Sequence, residues 1–197
     1  MKKDRFIAFF DAILAIIMTI IVLEFIIPNG TDWSDLGTLW FQIIAYAVSF
    51  FWLGGMWINI HTLWHDVETI DRSVLFTNLA LLFFSSMIPF FAVYFGRNIT
   101  SKVPAILYGA DVIIVTLLNE LSAEFLAKHN ASVKAMLGGF RLSIAIDTGI
   151  KAAGLIVGIL CFPPAVLIGV LAAMVFITWH RVYLSKKQGL KKNDPAE

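Results

Sequence analysis

One long apolar run near the start of the chain constrains the fold most strongly. Between Phe6 and Ile27 the sequence has 22 residues, of which three are polar: Asp11, Thr19 and Glu24. The hydrocarbon core of a bilayer is about 30 Å thick and needs roughly 20 helical residues, because an α-helix rises about 1.5 Å per residue. The run is too long for a signal peptide's apolar part, and no small-residue cleavage site follows it. We therefore predict a first transmembrane helix.

The rest of the chain has the composition of a polytopic membrane protein. Of its 197 residues, 59% are hydrophobic and 15% are charged, whereas an average globular domain has about 25% charged residues. Five more apolar runs follow, so we predict an all-α membrane protein with six transmembrane helices. The later spans are expected near residues 36–61, 73–95, 103–126, 137–162 and 165–183. Residues 1–185 would form one transmembrane domain, and residues 186–197 a basic, disordered tail.

The positions of Lys and Arg predict how the chain is oriented. Cytoplasmic loops carry an excess of these residues. If both termini are cytoplasmic, twelve Lys and Arg residues lie on the inside, and Arg97 and Lys102 are the two that lie outside. An even number of spans agrees with this orientation. The compact chain and the lack of a targeting signal suggest a bacterial inner membrane.

Asp11 is the unusual residue of the first span. A carboxylate in such a segment costs roughly 2.5–3.5 kcal/mol on insertion scales, so it should face protein or water. Arg5 and the histidines of the second span are the available partners. Asp11 either holds helices together by hydrogen bonds or binds a cation or proton. Helical geometry favours the first role, because Asp11 lies about 140° from Ile16, which forms a stripe with Ile20 and Leu23.

A longer motif contains these residues and suggests a family. The first span reads R-x-x-x-F-x-D-A, then continues through an isoleucine, a threonine and Leu-Glu, at Arg5, Phe9, Asp11, Ala12, Ile16, Thr19, Leu23 and Glu24. This pattern resembles the first-helix signature of the transmembrane protein 175 family of potassium channels. Matches continue to about Phe90, at Trp57, Asn59, His61, Asp71, Asn78 and Pro89. The family usually has serine where this chain has Phe10, so Phe10→Ser is expected to be tolerated.

The resemblance implies a potassium channel in which four subunits place their first helices around one axis. It assigns the constriction, a hydrophobic gate, to Ile16, Ile20 and Leu23, with Thr19 as the nearby polar group. A ring of such apolar side chains from four subunits can close the pore by excluding water. Potassium sheds water more readily than sodium, so a passive homotetramer with a weak K⁺ preference is expected. Glu24 is either a pore-mouth carboxylate or an interfacial side chain that reaches toward water.

The resemblance also implies a structural polar network around the first helix, formed by Arg5, Asp11, His61, Trp57 and Asn78. His61 and His65 have metal-ligand spacing, but H-x-x-x-H without a zincin glutamate is a weak signal. A hydrogen bond between His61 and either Asp11 or Arg5 is the alternative. No metal site beyond permeating K⁺ and no cofactor is predicted.

Other classes of protein find little support in the sequence. It has no catalytic constellation, no glycine-rich phosphate loop and no T-V-G-Y-G filter, so we expect neither an enzyme nor a channel with a carbonyl filter. The net charge of +1 and the lack of a nucleic-acid motif argue against nucleic-acid binding. Besides K⁺, the expected partners are the lipid bilayer and further copies of the chain.

Two other functions remain open from the sequence. A proton-coupled transporter could use four carboxylates within the spans as relay groups: Asp11, Asp111, Glu120 and Asp147. A non-conducting scaffold is the third reading. Glu120 and Glu124 lie on one helix face, as a cation site or as a solvated surface. Asp147 and Lys151 have the i, i+4 spacing of an intrahelical ion pair.

Overall fold

The computed structural model describes residues 3–25, 30, 32–33, 35–65, 67 and 69–192, and of residues 35, 38 and 181–192 it describes the backbone alone. The described residues are almost entirely helical, so the predicted all-α class is confirmed. A 3₁₀ turn at Ile21–Glu24 extends the first helix, and a second lies at Asp35–Thr38. The α-helices are α1 (Lys3–Ile20), α2 (Trp40–His65), α3 (Arg72–Ser85), α4 (Ile88–Arg97), α5 (Lys102–His129), α6 (Ala131–Leu160) and α7 (Ala165–Lys192).

Five helical segments among the described residues are long and apolar enough to cross a bilayer. They are 3–24, 40–65, 72–97, 102–129 and 131–160, and a shorter apolar helix covers Ala165–His180. These segments correspond to the predicted spans. The end predicted for the first span, Ile27, lies outside the described residues. Helix α7 continues to Lys192, so the tail predicted at 186–197 begins inside this helix, and residues 193–197 lie outside the described part.

The third span is interrupted, as expected from its proline. Helix α3 ends at Ser85 and α4 begins at Ile88, with Pro89 in its first turn. Proline has no backbone N–H, so it cannot donate to the carbonyl four residues earlier. The Ser86 amide donates to the Leu82 carbonyl at 2.9 Å, and the Met87 amide donates to the Phe84 carbonyl at 2.9 Å. The two helices therefore form one membrane span with a break near its middle.

Asp71 fixes the start of α3. Its carboxylate accepts hydrogen bonds from the Arg72 amide at 2.6 Å and from the Ser73 hydroxyl at 3.2 Å. Asp is a favoured residue at this position, because it satisfies amides that have no partner inside the helix. The bond from Arg72 is the main reason that the pKa of Asp71 lies below its ordinary value.

Close glycine contacts hold α6 against α7. A Cβ atom added to Gly154 would lie 2.9 Å from the Ala165 carbonyl oxygen and 3.0 Å from Cα of Gly169. The backbones of the two helices thus approach as closely as small residues allow, which is a common way of packing helices in membranes. Helices α5, α6 and α7 form one side of the subunit, and α1 packs on the other side against α2, α3 and α4.

Candidate functional site

Helix α1 and the 3₁₀ turn that extends it have one face in the subunit core and one face outside it. The buried face consists of five apolar residues four or three positions apart: Phe6, Phe10, Leu14, Ile17 and Ile21. On the other face, Ile16 is 59% exposed, Ile20 is 41% exposed and Leu23 is 78% exposed. The predicted stripe therefore points away from its own subunit. It is free to face lipid or a second copy of the chain.

Thr19 is exposed and borders this stripe. Its hydroxyl oxygen lies 3.0 Å from the Ala15 carbonyl and 3.1 Å from the Ile16 carbonyl, so it can donate its proton to the helix backbone. A hydroxyl that donates in this way keeps its lone pairs available as acceptors. The exposed stripe thus carries one oxygen that can meet a cation.

Asp11 is held by the second helix. Nε1 of Trp57 donates a hydrogen bond to Oδ1 of Asp11 at 2.8 Å. The Trp57 ring lies beside the His61 ring, with the centroids 5.5 Å apart, and His61 and Asp11 border the same small cavity. The structure thus brings together three residues of the predicted network. Trp57 fills the role for which the sequence offered Arg5 or a histidine.

The other two residues of that network lie elsewhere. Arg5 is exposed and makes no hydrogen bond or ion pair with any described residue. Asn78 is buried, and its side-chain amide donates to the Val74 carbonyl at 2.8 Å and to the Ser122 hydroxyl at 2.6 Å. Asn78 therefore joins α3 to α5 at a separate point.

Glu24 lies at the far end of the first span, and its side chain is exposed. Its backbone carbonyl accepts a hydrogen bond from the Arg97 guanidinium at 2.7 Å. This contact ties the 3₁₀ turn after α1 to the end of α4. The turn therefore holds Leu23 and Glu24 in a fixed position relative to the rest of the subunit.

The carboxylates of the later spans have partners in their own subunit, with one exception. Nζ of Lys151 donates to Asp147 at 2.5 Å, so the predicted ion pair forms. The Thr148 hydroxyl donates to Glu120 at 2.5 Å, and the exposed Arg141 pairs with Glu124 at 3.0 Å. Asp111 is buried, and its Oδ2 atom has no hydrogen-bond partner among the described residues.

Several polar contacts between distant parts of the chain could not be predicted from the sequence. The hydroxyl groups of Ser49 and Tyr108 lie 3.0 Å apart in the core between α2 and α5. The Asn130 amide donates to the Thr69 carbonyl at 3.1 Å. A polar residue in or beside an apolar span is the only sequence signal for such contacts, and that signal does not name the partner. In the part of the chain that the structure describes, no group of three or more His, Cys, Asp or Glu residues could hold a metal ion.

Comparison with known proteins shows which family the first part of this chain resembles. Residues 5–89 match the family model described as endosomal/lysosomal potassium channel TMEM175. A Chryseobacterium protein named potassium channel is 38% identical over 114 residues, which cover 58% of this chain and 59% of the relative. A Streptomyces collinus protein, also named potassium channel, is 32% identical over 124 residues, which cover 59% of this chain and 60% of the relative. The chain thus spans about three fifths of the length of these relatives, whose names are those of channels and not of enzymes.

One solved structure resembles the whole chain. It is titled as a lysosomal potassium-selective channel TMEM175 homolog from Chamaesiphon minutus. The two structures match with a TM-score of 0.70 over 98% of each chain, at 21% sequence identity. At that identity the likeness shows a shared fold, and this fold includes the second half of the chain, where the family model has no match.

Proposed function

The resemblance of this chain to the TMEM175 family is confirmed over residues 5–89, and on that premise we propose that the protein is a passive potassium channel. Four subunits surround one axis with their α1 helices. Ile16, Ile20 and Leu23 of each subunit form the constriction. The channel needs no cofactor, and the ion that permeates it is K⁺.

The observation that carries this proposal is the exposed stripe on α1 and its 3₁₀ turn. A single subunit encloses no conduit around Ile16, Ile20 and Leu23, because these side chains point out of its core. Four copies around a rotation axis would bury the stripe against itself. Most soluble oligomers bury such surfaces between copies related by closed rotational symmetry. The homotetramer therefore follows from the pore proposal.

The chemistry of the stripe suits weak selection. A ring of isoleucine and leucine side chains offers no oxygen ligands, so an ion that crosses it must lose part of its water. Potassium loses water more readily than sodium, and Thr19 supplies an acceptor beside the narrow part. We expect a modest preference for K⁺ over Na⁺, without the strong discrimination of a carbonyl filter.

The residues around the stripe have supporting roles in this proposal. Asp11, Trp57 and His61 set the angle between α1 and α2, and Asn78 fixes α3 on α5. Glu24 attracts cations at the pore mouth, where the Arg97 contact holds the turn. Arg5, at the other end of α1, is exposed and available to a neighbouring subunit. Both termini are cytoplasmic, and the membrane is a bacterial inner membrane.

Flux through liposomes tests this function against proton-coupled transport. Purified protein is reconstituted, and uptake is measured with a K⁺ gradient, with a Na⁺ gradient and with a proton gradient alone. Potassium flux that exceeds sodium flux and needs no proton gradient supports the channel. Saturable uptake that follows the proton gradient would contradict the channel and point to the four carboxylates within the spans. Absence of any flux would favour a scaffold.

A further inference from the structure

A second feature lies away from α1, between α2, α5, α6 and α7. It is a cavity of about 330 Å³. Ligand sites in proteins are commonly cavities of about 300–1,000 Å³ with mostly apolar walls and a few converging polar groups. No residue of α1 lines this cavity, so it is distinct from the proposed pore. It reaches the surface of the subunit at Ile58, which lines it and is exposed.

The wall of this cavity is apolar and aromatic. Trp52 and Met56 come from α2, Phe140 and Ile144 from α6, and Met174 from α7. Such side chains suit a compact apolar body, and methionine adapts to its shape. Gly55 also lines the cavity, and a Cβ atom added there would meet nothing within 4 Å. The space beside α2 is therefore open.

The charges of the wall do not balance. Glu120, Asp147 and Lys151 are the charged residues that line the cavity among the described residues. Lys151 donates to Asp147 at 2.5 Å and to the Thr116 hydroxyl at 3.3 Å. It does not bond to Glu120, whose Oε1 atom accepts from Thr148. Two carboxylates thus face one ammonium group, and Glu120 has no cation as a direct partner in the described structure.

The free acceptors belong to these same carboxylates. Oε2 of Glu120 and Oδ1 of Asp147 make no hydrogen bond with any described residue. A carboxylate within an apolar span is costly unless it meets a cation or hydrogen-bond donors. The arrangement therefore calls for a ligand that brings one positive charge and N–H donors.

We propose that this cavity is a binding site for a lipophilic amine, a compact apolar molecule that carries one ammonium group. The ammonium group lies against Glu120 and donates to its free oxygen. The apolar body lies against Trp52, Met56 and Phe140. Because Lys151 already neutralises Asp147, a ligand with a single positive charge completes the balance. A neutral or anionic molecule of the same shape leaves Glu120 without a cation.

Saturable binding of amantadine, a cage-shaped amine, tests this site. The full chain is placed in phosphatidylcholine nanodiscs, and bound radiolabelled amantadine is measured by equilibrium dialysis, with protein-free nanodiscs subtracted. The neutral alcohol adamantanol has the same cage and serves as a competitor. We expect saturable amantadine binding that adamantanol displaces poorly. No saturable binding would overturn the proposal, and equal displacement by the alcohol would show an apolar or acyl-chain cavity instead.

Two variants and one matched control test whether the Glu120 carboxylate binds the ammonium group. Glu120→Gln keeps the size and the acceptor for Thr148 but removes the negative charge, so amantadine should bind about tenfold more weakly or worse. Glu124→Gln, one turn away and outside the cavity, should bind as the unmodified protein does. Gly55→Leu fills the space without changing any charge and should abolish binding. Equal affinities of the two glutamine variants would overturn the assignment to Glu120.

This inference does not depend on the pore. Amantadine binding is measured without ion flux, and the proposed constriction is not part of the cavity. A protein that conducts K⁺ without binding the amine would contradict the site alone. A protein that binds the amine without conducting K⁺ would contradict the channel alone.

Discussion

Nε1 of Trp57 donates a hydrogen bond to Oδ1 of Asp11 across 2.8 Å, and this bond joins α2 to α1. It explains how an aspartate persists in the first span. The indole satisfies the carboxylate, and the indole ring in turn packs beside His61. In the channel proposal, this contact sets the angle at which α1 presents its outer face to the axis.

The first prediction concerns this bond. Asp11→Ala leaves the indole N–H without its acceptor, and Trp57→Phe leaves the carboxylate without its donor. Each change should destabilise the packing of α1 on α2 by about 1–3 kcal/mol, the usual effect of losing a hydrogen bond to a charged group. The fraction of assembled oligomer on a native gel should fall. Asp4→Ala, which removes an exposed carboxylate from the same helix, is the control and should have little effect.

A different result for Asp11→Ala would change its role. If the variant assembles fully and its K⁺ over Na⁺ preference is lost, Asp11 lies in the conduction path. The double variant Asp11→Ala/Trp57→Phe adds a direct check. It should be no less stable than the worse single variant, because the two residues act through one shared bond.

The second prediction corrects an expectation from the sequence. The motif alone suggested that Phe10→Ser would be tolerated, but Phe10 is 3% exposed and packs in the subunit core. Loss of a buried phenylalanine ring typically costs about 3–5 kcal/mol, so Phe10→Ser should unfold at a clearly lower SDS fraction in mixed micelles. Phe9 is 48% exposed, and Phe9→Ser should have a much smaller effect. Equal effects would mean that the buried face of α1 is assigned wrongly.

The third prediction concerns the buried pair of Asp147 and Lys151. Lys151→Met leaves a carboxylate in an apolar region without its cation, which typically costs about 3–5 kcal/mol. The double variant Asp147→Leu/Lys151→Met should regain most of this stability, because neither charge remains. Thermal unfolding in detergent measures both. The exposed pair of Glu124 and Arg141 is the control, since Arg141→Met should cost less than about 1 kcal/mol. A double variant no more stable than Lys151→Met would contradict this account.

The fourth prediction compares two glycines of α6. Gly154→Ala places a Cβ atom 2.9 Å from the backbone oxygen of Ala165, so α6 and α7 must separate, at a cost of about 1–3 kcal/mol. At Gly149 nothing lies within 4 Å of an added Cβ atom. There, alanine should stabilise the helix by about 0.5–1 kcal/mol. Unfolding in SDS measures the difference, and a neutral Gly154→Ala would show that the helices do not pack this closely.

Periodicity and composition predicted most of the architecture. The spans follow from apolar runs, the break in the third span follows from Pro89, and the pair of Asp147 and Lys151 follows from i, i+4 spacing on one helix. Each of these features is local in the sequence. The outward face of α1 is local too, because the helical repeat alone separates Ile16 and Ile20 from Phe10 and Leu14.

Contacts between helices could not be predicted in the same way. Trp57 and His61 lie one turn apart on α2, and only the vertical offset between α1 and α2 decides which of them reaches Asp11. Asn78 meets Ser122 because α3 crosses α5 at that level, and neither residue has a sequence signal for the other. The cavity beside Glu120 depends on four helices at once, so no pattern in one segment indicates it.

The most direct test of the central claim is the K⁺ conductance of Ile16→Asn in planar bilayers, beside that of Ile168→Asn. The two isoleucines are nearly equally exposed, at 59% and 58%, but only Ile16 lies on the face assigned to the pore. In the tetramer, four asparagine side chains would surround the pore axis and let water enter the constriction. Ile16→Asn should therefore raise the conductance several-fold and weaken the preference for K⁺ over Na⁺. Ile168→Asn should conduct as the unmodified protein does. If both assembled variants conduct and select as the unmodified protein does, the outer face of α1 does not line the ion path.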